Sequence, residues 1–159
     1  MANPASETVR YPFTAFNFAV EIRVPDLTSK ACNASFAECD GLEVTLEVKT
    51  IREGGNNGRQ IRMAGAQSFG QLTLKRGLTD SLELWDWIAA MVDTPRLRAD
   101  AEVVLLAPDG VTERARFVLS RCLPVKLKAP PLNAKDGMVA IEELQLAYET
   151  LTLKRPSGA

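Results

Sequence analysis

The sequence predicts an antiparallel β domain of roughly seven or eight strands carrying one helix. Two observations lead there. Several segments alternate apolar and polar residues at period two, with turn residues between them, and one segment repeats its apolar residues at helical spacing instead. The 159 residues, 46% of them hydrophobic and 25% charged, are enough to bury the core of one domain.

Residues 1–15 hold two prolines and several small polar residues and read as an arm, with a single domain following over 16–155. Phe16 to Val24 alternates strictly: Phe16, Phe18, Val20, Ile22 and Val24 lie on one side, and Asn17, Glu21 and Arg23 on the other. A half-buried strand is expected, ended by Pro25 and followed by a polar connection over 25–35. Asp40-Gly41 signals a turn, after which Leu42, Val44, Leu46 and Val48 are expected to point inward from a second strand. The stretch Thr50-Ile-Arg-Glu-Gly-Gly-Asn-Asn-Gly-Arg-Gln-Ile-Arg62 is a long Gly/Asn loop flanked by arginines. Phe69 to Lys75 begins another strand.

The helix is expected over about 80–92, where Leu84, Trp87, Ile88 and Met91 stand at i, i+3, i+4 and i+7. Asp80 with Glu83 resembles a capping box, and Pro95 lies just past the end. Leu82, Trp85 and Val92 widen the apolar surface, so this helix must bury more than one face. Ala101 to Ala107, the turn Pro108-Asp-Gly110 and Glu113 to Cys122 read as a hairpin, with Val125 to Lys128 continuing its second strand. Pro130-Pro131 and Lys135-Asp-Gly137 mark a loop. From Val139 to Leu153, Ile141, Leu144, Tyr148 and Leu151 fit a helix. Leu144, Leu146 and Tyr148, then Leu151 and Leu153, fit a strand with a bulge, and periodicity does not separate the two.

Catalytic and metal chemistry finds few footholds. Histidine is absent, so Ser–His and Cys–His nucleophiles are excluded. The three cysteines (Cys32, Cys39, Cys122) lack CxxC spacing and are expected reduced and packed. Gly65-Ala-Gln-Ser-Phe-Gly70 has Walker spacing, but Gln71-Leu72 stand where Lys and Ser/Thr are needed. Glu142-Glu143, Glu43 with Glu47, and Asp80 with Glu83 read as solvated faces or caps. Asp86, between Trp85 and Trp87, has no visible partner. No enzyme, cofactor or metal is expected. A formal net charge of −1 gives no general pull toward nucleic acid or an anionic membrane. Neither a signal segment nor a membrane span is visible, so synthesis in the cytoplasm is expected.

An interaction role suits the pattern better. Strand edges must be paired, covered or charged, homo-oligomerisation would use them, and tryptophan is enriched at interface hot spots. Phe16-Asn-Phe-Ala-Val-Glu-Ile22, Cys39-Asp-Gly-Leu-Glu43, Lys49-Thr-Ile-Arg-Glu-Gly-Gly-Asn-Asn57, Leu72-Thr-Leu-Lys-Arg-Gly-Leu-Thr79 and Leu84-Trp-Asp-Trp87 occur in that order. Together they resemble the tail tube proteins of contractile phages and phage-like contractile injection systems, the T4-type tail tube family, over most of the chain.

The resemblance implies a β-barrel or β-sandwich of two antiparallel sheets with a helix beside it, a fold shared with the haemolysin-coregulated tube protein of type VI secretion. It also turns the last segment toward strand. It implies homo-hexameric rings stacked into a hollow tube inside a contractile sheath, with baseplate and spike proteins as further partners and a lumen able to hold cargo. Such a particle is assembled in a bacterial cytoplasm and can be released. The loop of Ile51, Arg52, Glu53, Gly54, Gly55, Asn56, Asn57, Gly58, Arg59, Gln60 and Ile61 would reach a neighbouring subunit or ring. Leu84, Trp85, Trp87, Ile88 and Met91 would pack the helix. Two alternatives stay open: a tube-initiating variant joining spike to tube, hinted at by the arm and by the insertion-like segment Val24 to Phe36, and a monomeric β-sandwich binding module.

Overall fold

The computed structural model describes residues 12–25, 33–34, 36–52, 54–55, 58–135 and 137–156. Among them the chain forms β1 (Phe18–Arg23), β2 (Asn33–Ala34), β3 (Glu38–Asp40), β4 (Val44–Ile51), β5 (Ile61–Phe69), β6 (Gln71–Gly77), α1 (Glu83–Asp93), β7 (Ala99–Leu106), β8 (Glu113–Lys128), β9 (Ile141–Ala147) and β10 (Thr150–Lys154). Every pairing is antiparallel. The arm lies outside the described residues up to residue 11, as does most of the segment from Val24 to Phe36.

Strand β8, sixteen residues long, belongs to both core sheets. Its first half pairs with β7 and β10, completing the order β2-β1-β7-β8-β10. Its second half pairs with β9, completing the order β8-β9-β6-β3. The change of sheet falls at Arg121, which takes a left-handed backbone with φ 55°. There Ala99 pairs with Cys122 and Ala101 with Leu119, so two residues of β8 oppose the single Asp100, whose carboxylate accepts the Arg121 amide at 3.2 Å. Such a bulge bends a strand and raises its twist. The last segment bends beside it: β9 stops at Ala147, β10 resumes at Thr150, and the Glu149 amide reaches the Ser120 carbonyl at 3.1 Å. The strand-with-bulge alternative is therefore the one realised.

The two sheets bury their inward rows against each other. Val20 and Ile22 of β1, Leu72 and Leu74 of β6, Ala101 and Val103 of β7, Leu119 and Cys122 of β8, and Leu144 and Leu146 of β9 form one cluster. Each large apolar side chain so buried stabilises the fold by about 1.5–3 kcal/mol. Phe16 departs from the expected row, being largely exposed ahead of β1.

Helix α1 adds Leu84 and Trp87 to this cluster, with Met91 packed against it and Ile88 half-buried. Trp85 is exposed, as are Leu82 and Val92, so only one helix face is buried within the chain. Asp86 is exposed too. The helix begins three residues later than expected and has no capping box, since Leu82 stands at the N-cap position without a side-chain hydrogen bond. Ser81 takes partners outside the helix: its amide donates to the Thr79 hydroxyl at 3.2 Å and its carbonyl accepts from the Arg76 guanidinium at 3.1 Å, while the Trp85 and Asp86 amides both turn to the Leu82 carbonyl.

Arg76 also corrects the reading of Glu142 as a solvated carboxylate. The two residues face each other across β6 and β9, both almost completely buried, and the Arg76 Nε donates to the Glu142 carboxylate. The guanidinium also lies 5.9 Å from the Phe36 ring centre. Removing one member of a buried pair costs about 3–5 kcal/mol, whereas replacing both by apolar residues is often neutral. Glu142→Ala is accordingly expected to lower stability by about that amount in urea unfolding, and Arg76→Met with Glu142→Leu to recover most of it. Equal losses in the single and double variants would contradict this account of the pair.

Candidate assembly interface

Strands β4 and β5 form a sheet of their own, apart from both core sheets. All eight residues of β4 are exposed, among them Val44, Leu46 and Val48 at 52%, 57% and 60%. This corrects the expectation that they point inward: the alternation is real, but among the described strands only β5 lies beside this one. A two-stranded ribbon is marginally stable by itself in water, and the outer edges of both strands keep backbone groups free for pairing.

The register assigns the two faces, because directly paired residues share one. Val44 pairs with Phe69, Leu46 with Gln67, Val48 with Ala64 and Thr50 with Arg62. That face is uncharged from the root through Val48. The opposite face carries Glu47 and Lys49, then Met63 and the Ile51–Ile61 pair toward the tip. Between Leu46 and Val48 the register shifts by one residue, with Gly65 lying against Glu47. The Walker-spaced glycines thus belong to a strand and its end.

At the root the ribbon is gripped by Tyr148, in the gap between β9 and β10. Its hydroxyl accepts the Glu43 amide at 3.2 Å and shares its proton between the carbonyls of Gly41 at 2.8 Å and Glu43 at 3.1 Å. Burial raises its pKa, so the hydroxyl keeps the proton it donates. Its ring packs on Phe69, centroids 5.6 Å apart. Opposite, the Gly70 amide donates to the Glu43 carbonyl at 3.3 Å. Gly41 takes φ +95°, and a Cβ there would sit 1.9 Å from the Gln71 carbonyl oxygen, so only glycine lets the chain leave β3 here.

At the tip, Ile51, Arg52, Gly54, Gly55, Gly58, Arg59, Gln60 and Ile61 are described, and Gly55 turns the chain with φ +93°. Glu53, Asn56 and Asn57 lie outside the described residues. The expected helix-packing set does not join the ribbon site; it serves the core, with Trp85 on the outside.

Strand β5 was not foreseen between the Gly/Asn loop and the strand expected from Phe69, and two further features escaped the sequence reading. Tyr148 was a candidate core position, and only its place at the end of the row Leu144, Leu146, Tyr148 hinted at a polar task. The loop between β8 and β9 is strongly apolar: Pro130, Pro131, Leu132, Met138, Val139 and Ile141 line an open groove of about 770 Å³. The prolines had marked a loop, while the apolar residues between them were the unused signal.

A protein-family model described as T4-like virus tail tube protein gp19 matches residues 14–152. No curated protein sequence matches the chain at a significant level. Among solved structures, a chain in the anti-feeding prophage baseplate is 25% identical with a TM-score of 0.81, the alignment covering 94% of this chain and 99% of that one. A chain of the sheath–tube complex of the extracellular contractile injection system PVC is 22% identical with a TM-score of 0.77, covering 98% and 99%. Hcp1 from Flavobacterium johnsoniae shares the fold at 14% identity and a TM-score of 0.51, covering 86% and 95%.

Tyr148→Phe removes the hydroxyl and keeps the ring contact with Phe69. The expected outcome is a stability loss of about 1–3 kcal/mol and faster tryptic cleavage after Lys49 and Arg62 in the native protein. Unchanged cleavage at both sites would show that the hydroxyl does not hold the ribbon.

Proposed function

The chain belongs to the T4-like virus tail tube protein family, and from that premise we propose that it builds the inner tube of a contractile injection particle as stacked homo-hexameric rings. The observation that carries this reading is the β4–β5 ribbon, which extends exposed apolar side chains and open strand edges away from a finished core. Its occupant is another copy of the chain. The relative from the anti-feeding prophage baseplate was solved in a six-fold assembly, which supports six copies per ring here. The relative in the PVC sheath–tube complex supports a contractile sheath as the outer partner, with baseplate proteins at the tube's end.

The task is mechanical. Contraction of a sheath drives the tube through a target envelope, and the tube must neither shear nor bend. Backbone hydrogen bonds between strand edges of adjacent copies resist shear around the ring, because each lost bond leaves buried polar groups unpaired at about 1–3 kcal/mol. Strand β10, paired only on its β8 side among the described strands, offers one such edge. Contacts between rings rest on the ribbon and its tip loop, from Ile51 to Ile61. The lumen serves as the conduit for cargo, and no step of this task calls for catalysis.

A second reading, a tube-initiating variant that joins spike to tube, draws support from the baseplate setting of the 25%-identical relative. Negative-stain electron microscopy across a concentration series separates the two. Rings that stack into hollow rods are the expected result, rings that never stack favour the initiator, and monomers at every concentration contradict both. Gly54 gives a finer check, since a Cβ there meets none of the described residues within 4 Å. Gly54→Trp is expected to leave monomer stability within about 0.5 kcal/mol of the parent and to abolish rods. Rods of parental length from this variant would remove the tip from the ring–ring contact.

A further inference from the structure

We propose that the uncharged face of the ribbon seats in the apolar groove of the β8–β9 loop of the next copy along the tube, a contact that rests on the tube reading above. The two surfaces lie at opposite ends of one sheet. The ribbon leaves at Gly70, beside the Gln71–Ala147 pair, and the groove begins at the Gly77–Ile141 pair, where the Leu78 amide reaches the Ala140 carbonyl at 2.8 Å. The seven residues of β6 between them span about 20 Å. Within one chain Val44, Leu46 and Val48 of the ribbon and Leu132, Met138 and Val139 of the groove all stay exposed, so the ribbon does not fill its own groove, and a copy displaced along the strand direction can offer one. Such a contact is heterologous and head-to-tail, and when successive copies are displaced along one axis it propagates into an open stack.

Chemistry selects the face. Among the described residues no charged side chain lines the groove, and Leu132, Met138 and Val139 there are 89%, 84% and 77% exposed. On the ribbon, Val44, Leu46 and Val48 with Phe69, Gln67 and Ala64 are equally free of charge from the root through Val48, Arg62 following only toward the tip, whereas the other face would bring Glu47 and Lys49 in mid-ribbon. Burying an unpaired charge in such a groove is strongly unfavourable, and burying the uncharged face is not. Exposed apolar patches rimmed by polar residues mark interaction sites, and here one chain carries two of them at opposite ends of a sheet. Docking also covers the face that leaves the lone two-stranded ribbon marginal.

The test joins Leu46→Cys to Leu132→Cys in a background carrying Cys32→Ser, followed by a short bis-maleimide cross-linker. Cys39 and Cys122 stay out of the reaction, burial pushing their thiols up to about 11 and about 12. Assembled rods are expected to give a ladder of cross-linked multimers, with none from either single-cysteine control and none from dispersed rings. A companion variant, Val48→Asp, is expected to leave rings intact and to lose rods. Rods without the ladder, a ladder already present in dispersed rings, or rods from Val48→Asp would each overturn the ribbon-in-groove contact while the tube reading stood. Absence of rings and rods from the parent protein would instead overturn the tube reading, and this contact with it.

Discussion

Two strands bend together in the middle of this protein, and the rest of the structure hangs on how that bend is held. Strand β8 turns at Arg121, where a left-handed residue and an opposing Asp100 make room for the bulge. The chain from β9 to β10 turns beside it at Tyr148–Glu149. The Arg121 side chain donates to Glu149 at 2.7 Å, tying one bend to the other. A left-handed non-glycine residue costs on the order of 1 kcal/mol, offset here by the hydrogen bonds that it positions. The bend lets one long strand serve two sheets, so the core closes without a separate connection between layers. It also turns the Tyr148 hydroxyl toward Gly41 and Glu43, which fixes where the ribbon departs.

From that corner the molecule divides into parts with different solvents in view. The core sheets are completed inside the chain: inward rows alternate as strands should, and the charge that enters them, Arg76, meets Glu142. The ribbon and the β8–β9 loop follow the same alternation and the same apolar chemistry, but they meet water in the isolated chain. For a tube protein this division is economical in sequence. One chain carries both the projecting and the receiving surface, and assembly under the proposed scheme needs no partner of different composition.

The sequence made the core legible where period-two alternation and burial coincide, as in Val20, Ile22, Leu72, Leu74, Leu144 and Leu146. Helical spacing likewise located Leu84 and Trp87. It misled at Val44, Leu46 and Val48, because periodicity states that one face of a strand is apolar and not whether the covering surface belongs to the same chain. Glu142 misled for a related reason: a carboxylate beside another looks solvated until the cross-strand neighbour, Arg76, is known, and strand register is not written locally. The capping box did not form where Ser81 bonds outside the helix, to the Thr79 hydroxyl and to Arg76 five positions back, and the helix starts after Leu82. Tyr148 and the apolar groove depended on two distant segments meeting, and no local pattern announces such a meeting.

The central claim is that the ribbon is a piece of structure completed by another copy of the chain. Hydrogen exchange of the amides from Val44 to Ile51 and from Ile61 to Phe69, compared between dispersed subunits and assembled rods, tests it most directly. The account predicts fast exchange along both strands in dispersed subunits and strong protection in rods, with core amides such as those of Leu72 and Leu144 slow in both. Ribbon amides that exchange equally fast in rods and in dispersed subunits would contradict it.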